Sequence, residues 1–472
     1  MRPYIHLIFV IHFAMSSLKP TIIIGAGMAG LACATWLHRA GRPVLLLDAA
    51  DAVGGRVRTD VTPEGFRLDR GFQVLQTNYP EARRVFDYGA LNLKAYRSGA
   101  VIRLADGRET TVQSPLQRPL AAFSALASPI GTLTDKLRIL SLVRHVLKHT
   151  PEELLARPAT DTLTFLRRYG WSEQMIDSFF RPFFGGVFLD RELTTASNFF
   201  EFVFQQFVTG EVTVPALGMQ QLPEQLAARL PAGSVRLNAA VAAVEGTQVR
   251  LATGQVLEAS AVVLATDGQD AMRLLAGRSG NPDDGASAQA SGVSTAARIT
   301  TCTYFAANGG HSPGRNDKLI RLNASPTALA HNLCFPADVS GAYAPAGRAL
   351  VSVSTHGERS LNEAELVLGL RQELATWFGP AAREWLHLRT YRIAAALPVY
   401  LAGQPVRQPL KLAESLYRCG DWAAYPSLNA ALATGREVAE AIINVSSGYL
   451  LTGIRQGPRS DFPAGLFPCG WT

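Results

Sequence analysis

The stretch "TIIIGAGMAGLACATWL", beginning at Thr21, limits what this chain can fold into more than any other. Thr21 to Ile24 read as a short buried strand, because they are β-branched and run straight into a glycine. Gly25, Gly27 and Gly30 then spell G-x-G-x-x-G, and a helical apolar pattern runs from about Met28 to Ala40. Gly25 permits the tight turn, Gly27 lets a phosphate approach the backbone, and Gly30 lets helix and strand pack closely. Ala26, Met28 and Ala29 fill the positions between them, where the partial positive charge of the helix N-terminus favours a pyrophosphate.

Alone, such a loop is weak evidence, since many glycine-rich loops bind nothing. Here a second strand, "PVLLLDAA", ends in an acid, Asp48, about 20 residues further on, placed to accept hydrogen bonds from a ribose. An acid there favours an unphosphorylated ribose, hence FAD or NAD. The expected fold class is α/β, with a Rossmann-type FAD/NAD(P)-binding domain.

The next residues, "DAADAVGGRVRT", carry Asp48 and Ala49 on to Gly54, Gly55 and Arg56. Glycines let backbone pass close to a ligand, and an arginine can grip a phosphate bidentately. This run resembles the flavin-containing amine oxidase superfamily. Its members include monoamine and polyamine oxidases, protoporphyrinogen oxidases and phytoene-type carotenoid desaturases. The resemblance implies that Asp48, Ala49, Gly54, Gly55 and Arg56 line FAD. Asp48 departs from the commoner Glu but keeps a carboxylate.

Other segments resemble the same superfamily. In "YRCGDWAAYPSLNAALATGREVAEAI", from Tyr417, the likeness places Gly420 and Asp421 at the ribityl chain or pyrophosphate. It sets the amides of Leu428 and Asn429, at a helix start, against the pyrimidine end of the flavin, where negative charge develops on reduction. "FRLDRGFQVL" resembles the Asp-x-Gly turn near the flavin, carried by Asp69, Arg70 and Gly71. "VPALGMQQL", from Val214, resembles the return into the FAD domain, and the backbone of Val241 is implied to pair with adenine.

The expected FAD domain is discontinuous, made of residues 19–92, 210–285 and 393–445. An α+β substrate domain, 93–209 and 286–392, is inserted into it. The part from Leu93 to Thr209 reads as mostly helical, and Arg298 to Arg392 as an antiparallel sheet with "NEAELVLGLRQELATWF" as a helix packed on it. Residues 446–472 carry turn residues without a period and read as a disordered tail. Residues 1–18, "MRPYIHLIFVIHFAMSSL", imitate a secretory signal but are too short to span a membrane; they read as an extension ahead of the fold.

The balance of 45 basic to 38 acidic residues is mildly basic and spread out, with no nucleic-acid module, so no nucleic-acid partner is expected. Five scattered cysteines without C-x-x-C argue against a disulfide framework or a zinc site and suit a reducing, cytoplasmic setting. His145 and His149 lie one helical turn apart with no acid between them, which reads as a basic helix surface rather than a metal site. No metal is expected.

The chemistry implied by the family is hydride transfer from an organic substrate to FAD, followed by reoxidation by oxygen or a quinone-like acceptor. Amine oxidases often place a lysine on the first strand of the substrate sheet. That strand, "RITTCTYFAA", offers Thr300 and Thr301, and the nearest lysine, Lys318, belongs to a later segment. No cysteine stands where monoamine oxidases attach FAD, so the flavin is expected to be noncovalent. Both departures favour a bulky apolar substrate, such as a polyene, isoprenoid or porphyrinogen. An amine oxidase and a non-redox flavoprotein stay open as alternatives, and the catalytic residues stay unassigned. The run Phe179, Phe180, Phe183, Phe184 and Phe188 has two readings, the wall of a substrate tunnel or the core of the helical region. The basic helix around Lys136 to Lys148 suggests a peripheral contact with an anionic membrane.

Overall fold

The computed structural model describes residues 19–113, 128–276, 295–307, 312–357 and 360–453. The expected extension and the last nineteen residues of the expected tail lie outside these.

Strand β1 (Thr21–Ile24) is buried along its whole length, as its run of isoleucines requires. It lies between β2 (Val44–Leu47) and the strand Ala261–Leu264, parallel to both. Val235–Arg236 extends this sheet beyond β2, Leu416–Arg418 joins parallel on the other side, and Lys411–Ala413 closes that edge antiparallel. Helix α1 (Met28–Arg39) connects β1 to β2 and is buried along most of its length. A second helix, Leu428–Gly453, crosses α1 at Gly435, where any Cβ would run into the Ala29 carbonyl. This backbone helix continues eight residues past the expected boundary at residue 445. Its last turns, "VSSGYLLTG", are rich in weak helix formers, which hid it from pattern reading.

A seven-stranded sheet forms the second layer, in the order Leu386–Pro398, Ala297–Ala307, Ala349–His356, Asn332–Cys334, Ile320–Asn323, Gly99–Arg103, Glu109–Gln113. Its neighbours are antiparallel except for Ile320–Asn323 with Gly99–Arg103. The last two strands correct the expectation that residues from Leu93 onward are mostly helical. They form a hairpin about Asp106-Gly107, closed by Leu104 N–H donating to the Arg108 carbonyl and Gly107 N–H to that of Leu104. An Asp-Gly pair between alternating residues is a strong hairpin signal, and it was legible in "VIRLADGRETTVQ". The helix Glu363–Phe378 covers one face, packing Leu366, Leu370 and Leu374 on Phe305, Val351 and Val353. Asn362 and Glu365 cap its start reciprocally.

The helices Leu133–Leu147, Thr162–Tyr169, Arg181–Phe188 and Ser197–Thr209 share one aromatic core. Phe180, Phe184, Phe188 and Phe200 are fully buried in it, with Phe184 and Phe200 ring centroids 4.6 Å apart. The core reading of the phenylalanine run therefore holds for these rings. A π-helical turn, Ile176–Phe180, precedes Arg181–Phe188. Pro182 has no N–H for the Ser178 carbonyl, which favours such a local unwinding.

Candidate cofactor site

At the end of β1 the three glycines separate by role. Gly25 has φ +107°, and a Cβ there would sit 2.8 Å from the Ala265 carbonyl oxygen. A Cβ on Gly30 would strike the Gly25 carbonyl, so this glycine is what lets α1 lie on the strand end. A Cβ on Gly27 would meet nothing within 4 Å, so its hydrogen faces open space. The position expected to admit a phosphate is the one left uncovered.

The second glycine pair folds back onto the first. Gly54 N–H donates to the Ala26 carbonyl at 2.8 Å, and Gly27 and Gly54 form a parallel bridge. Gly55, at φ +58°, comes so near that a Cβ would lie 3.4 Å from Gly27 Cα. Met28 and Ala29, buried in the first turn of α1, continue the same wall. Asp48 stands behind it: Oδ2 accepts from Ala26 N–H at 2.7 Å and Oδ1 from Ala50 N–H at 2.8 Å, with Ala49 between them. Each carboxylate oxygen thus already serves a backbone amide, with lone pairs remaining for a ribose. Val241 opens a small antiparallel sheet beside this end of β2, where Ala239 N–H donates to the Asp48 carbonyl.

Arg56 and Asp421, 365 residues apart, form an ion pair, Nη2 to Oδ1 at 2.6 Å. Arg56 also donates Nη1 to the Ala396 carbonyl at 3.1 Å, on the strand Leu386–Pro398, which runs through residue 392 without a break. Gly420, with φ +147°, donates its N–H to Thr434 Oγ1, and Trp422 Nε1 donates to the Thr266 carbonyl. The first bond holds the motif to its own helix, and the second ties it to the end of the strand Ala261–Leu264. Arg56, Asp267, Ala395, Pro398, Asp421 and Trp422 line a cleft here.

Beyond the cleft, the helix Leu428–Gly453 starts with free donors. Ser427 Oγ accepts from Ala430 N–H and the Ser427 carbonyl from Ala431 N–H. The amides of Leu428 and Asn429 remain in the first turn, with no intrahelical acceptor. The Asn429 side chain is occupied elsewhere: its Oδ1 accepts from Glu81 N–H and its Nδ2 donates to Tyr425 Oη.

Arg70 grips Asp60 bidentately, Nε to Oδ2 at 3.1 Å and Nη2 to Oδ1 at 3.0 Å. Tyr391 Oη donates to Asp60 Oδ2 at 2.7 Å, so the guanidinium belongs to a polar cluster with the edge strand. Gly71, at φ +99°, allows Ile393 of that strand to approach to 2.9 Å from where a Cβ would stand. Gln73 Nε2 bridges the Arg56 and Arg70 carbonyls.

Asp69, placed by its motif near the flavin, is also a buried hydrogen-bonding hub, a role the motif does not reveal. Its Oδ1 accepts from Thr59 Oγ1 at 2.5 Å and Met219 N–H at 3.0 Å, and its Oδ2 from Tyr343 Oη at 2.7 Å. Burial outweighs these bonds and raises its pKa to about 6. The Gly-Met return at Met219 was the available signal, since its amide is what meets this carboxylate.

The strand Ala297–Ala307 contains no lysine. Thr300 Oγ1 bonds the Thr355 carbonyl and His356 Nδ1, and Lys318 sits in the segment just before Ile320–Asn323. Cys33, Cys302, Cys334 and Cys419 are free and buried. His145 Nε2 pairs with Glu201 at 2.6 Å, and no metal-ligating cluster occurs among the described residues. No helix among them is long and apolar enough to cross a membrane.

The family model for flavin-containing amine oxidoreductases matches residues 28–443, from the first turn of α1 through the C-terminal motif. The chain belongs to that family. It is an FAD-dependent oxidoreductase with a mixed α/β fold. It is 42% identical over 79 residues to a phytoene desaturase of Pantoea ananas (17% of this chain, 16% of the relative). It is 29% identical over 229 residues to a putrescine oxidase of Kocuria rosea (45% and 46%). These matches span less than half the length of either relative. An oxidoreductase structure from Methanosarcina mazei superposes with a TM-score of 0.69 at 16% identity, covering 89% of this chain and 100% of that one.

Proposed function

We propose that this member of the flavin oxidoreductase family takes a hydride from a bulky apolar substrate, a polyene, isoprenoid or porphyrinogen, with FAD held noncovalently. The six-stranded sheet serves as a Rossmann-type FAD domain drawn from residues 19–92, 210–285 and 393–445. The segments 93–209 and 286–392 form the substrate domain.

The residues fit the cofactor. Open space at Gly27 admits the pyrophosphate beside the N-terminus of α1, with Gly54 and Gly55 as the facing wall. Asp48 has lone pairs for the ribose and Val241 its backbone for the adenine. Arg56 and Asp421 neutralise each other across the middle of the site. The Leu428 and Asn429 amides offer positive partial charge at the far end. FAD, when bound, supplies the two-electron acceptor for a substrate C–H bond. The chain's task is then to bind, orient and exclude water. Burial of all four described cysteines, including Cys419 beside Gly420, supports a noncovalent flavin.

The observation that carries the substrate class is the absence of a lysine from the strand Ala297–Ala307, where Thr300 and Thr301 stand instead. Similarity to a phytoene desaturase agrees with it. Similarity to a putrescine oxidase keeps amine oxidation as the second reading. The reduced flavin is reoxidised by oxygen or a quinone, in a cytoplasmic enzyme. Anaerobic mixing of the yellow protein with amines, carotenoid precursors and porphyrinogens separates the readings. Bleaching of the flavin colour by a polyene or porphyrinogen supports the first. Rapid bleaching by a small hydrophilic amine alone overturns it.

A further inference from the structure

The helix Leu133–Leu147 presents leucines to solvent. Leu133, Leu137, Leu140 and Leu147 are 64%, 61%, 53% and 52% exposed. At 3.6 residues per turn they fall within an arc of roughly 80°, opposite the buried Leu142 and Val146, over a length of about 21 Å. The other exposed large apolar side chains among the described residues come from separate elements, scattered as on ordinary surfaces. Four leucines on one face of one helix are different: they leave apolar area in water that a partner would cover.

The charges that this helix sets on its exposed side are of one sign. Arg144 is exposed within the arc, and Lys136 and Lys148 flank it. Lys136 Nζ donates to the Ser128 carbonyl, which holds its charge beside the stripe. The helix has one acid, Asp135, buried on the opposite side, where it caps the first turn and accepts from Ser172. Nothing acidic on the helix therefore opposes the basic rim. A second copy of this face would set like charges against like, which disfavours self-association through it.

We propose that this face lies in the interface of an anionic lipid bilayer, leucines at the headgroup–acyl boundary and Lys136, Arg144 and Lys148 against lipid phosphates. The contact is peripheral and reversible. It stands on the leucine arc and the basic rim, whatever the substrate is; if the substrate is a polyene or porphyrinogen, it sets the enzyme where such molecules dissolve.

The test is co-sedimentation of the full-length, flavin-loaded protein with two vesicle types, phosphatidylcholine alone and phosphatidylcholine with phosphatidylglycerol. The expected result is binding to the anionic vesicles at least about tenfold stronger than to the neutral ones. The double variant Leu137→Ser/Leu140→Ser, altered only at exposed positions, should lose about tenfold or more of that binding while keeping its flavin and melting temperature. Arg144→Glu/Lys148→Glu should erase the preference for anionic lipid. Equal binding to both vesicle types, or to neither, overturns the proposal. So does a wild-type dimer in solution that the double leucine variant converts to a monomer.

Discussion

Asp48 shows how a residue can do two jobs that a motif records as one. Its carboxylate is the acceptor for the amides of Ala26 and Ala50, so it shapes the glycine loop proposed to meet the phosphate. Asp48→Ala should lower FAD affinity about 10- to 100-fold through lost ribose bonds and also destabilise the protein by roughly 1.5–3 kcal/mol. FAD titration and denaturant unfolding of the variant check both; a weakened affinity at unchanged stability would mean the loop does not depend on the carboxylate. Asp69 makes a pH prediction. Its folded pKa of about 6 lies above the ordinary 3.8, so the folded state holds this proton where the unfolded chain has released it. Its contribution to stability is full below 3.8 and is lost as pH rises through about 6, a change of about 3 kcal/mol. Asp69→Asn should flatten this part of the stability profile, and an unchanged slope would show that the carboxylate is not the group titrating. The Asp-x-Gly motif pointed to this segment from sequence. That Arg70 closes on Asp60, and Arg56 on Asp421, was hidden because such pairings depend on strand positions that only the folded chain creates.

At the level of elements, β1, α1 and β2 were legible because each obeys a local rule: a buried strand, a glycine turn, a helix with a buried face. The hairpin at Asp106-Gly107 was equally local and was passed over because the helices after it dominated the reading. The aromatic run could not be placed from sequence, since phenylalanines that line a tunnel and phenylalanines that fill a core look alike. The crossing of α1 with the helix Leu428–Gly453 is a long-range feature marked in the sequence only by small residues, Ala430, Ala431, Ala433 and Gly435. Gly435→Ala should push the helices apart, cost about 1–3 kcal/mol, and reduce flavin retention because α1 carries the phosphate end of the site. Gly341→Ala, whose new Cβ would meet nothing within 4 Å, should be near neutral. Denaturant midpoints and flavin content of the two variants make the comparison; equal behaviour would mean that the helix crossing tolerates a side chain.

For the whole molecule, the proposed cofactor site draws on three distant parts of the chain, Gly25–Gly30, Gly54–Arg56 and Gly420–Asn429, brought to one end of the six-stranded sheet. The seven-stranded sheet reaches it through Ala396 and Ile393, on the strand Leu386–Pro398. With the described cysteines buried, acid precipitation of the yellow protein should release FAD to the supernatant; flavin left in the pellet would mean a covalent link. The most direct test of the assembled site is bound FAD in the wild type and in Gly27→Val, prepared side by side. The space in front of Gly27 is open, so valine should be tolerated by the fold but should occupy the path of the pyrophosphate. The account predicts a wild type purified with FAD and a variant that is folded, by circular dichroism, and colourless. A folded Gly27→Val protein carrying as much FAD as the wild type would contradict it.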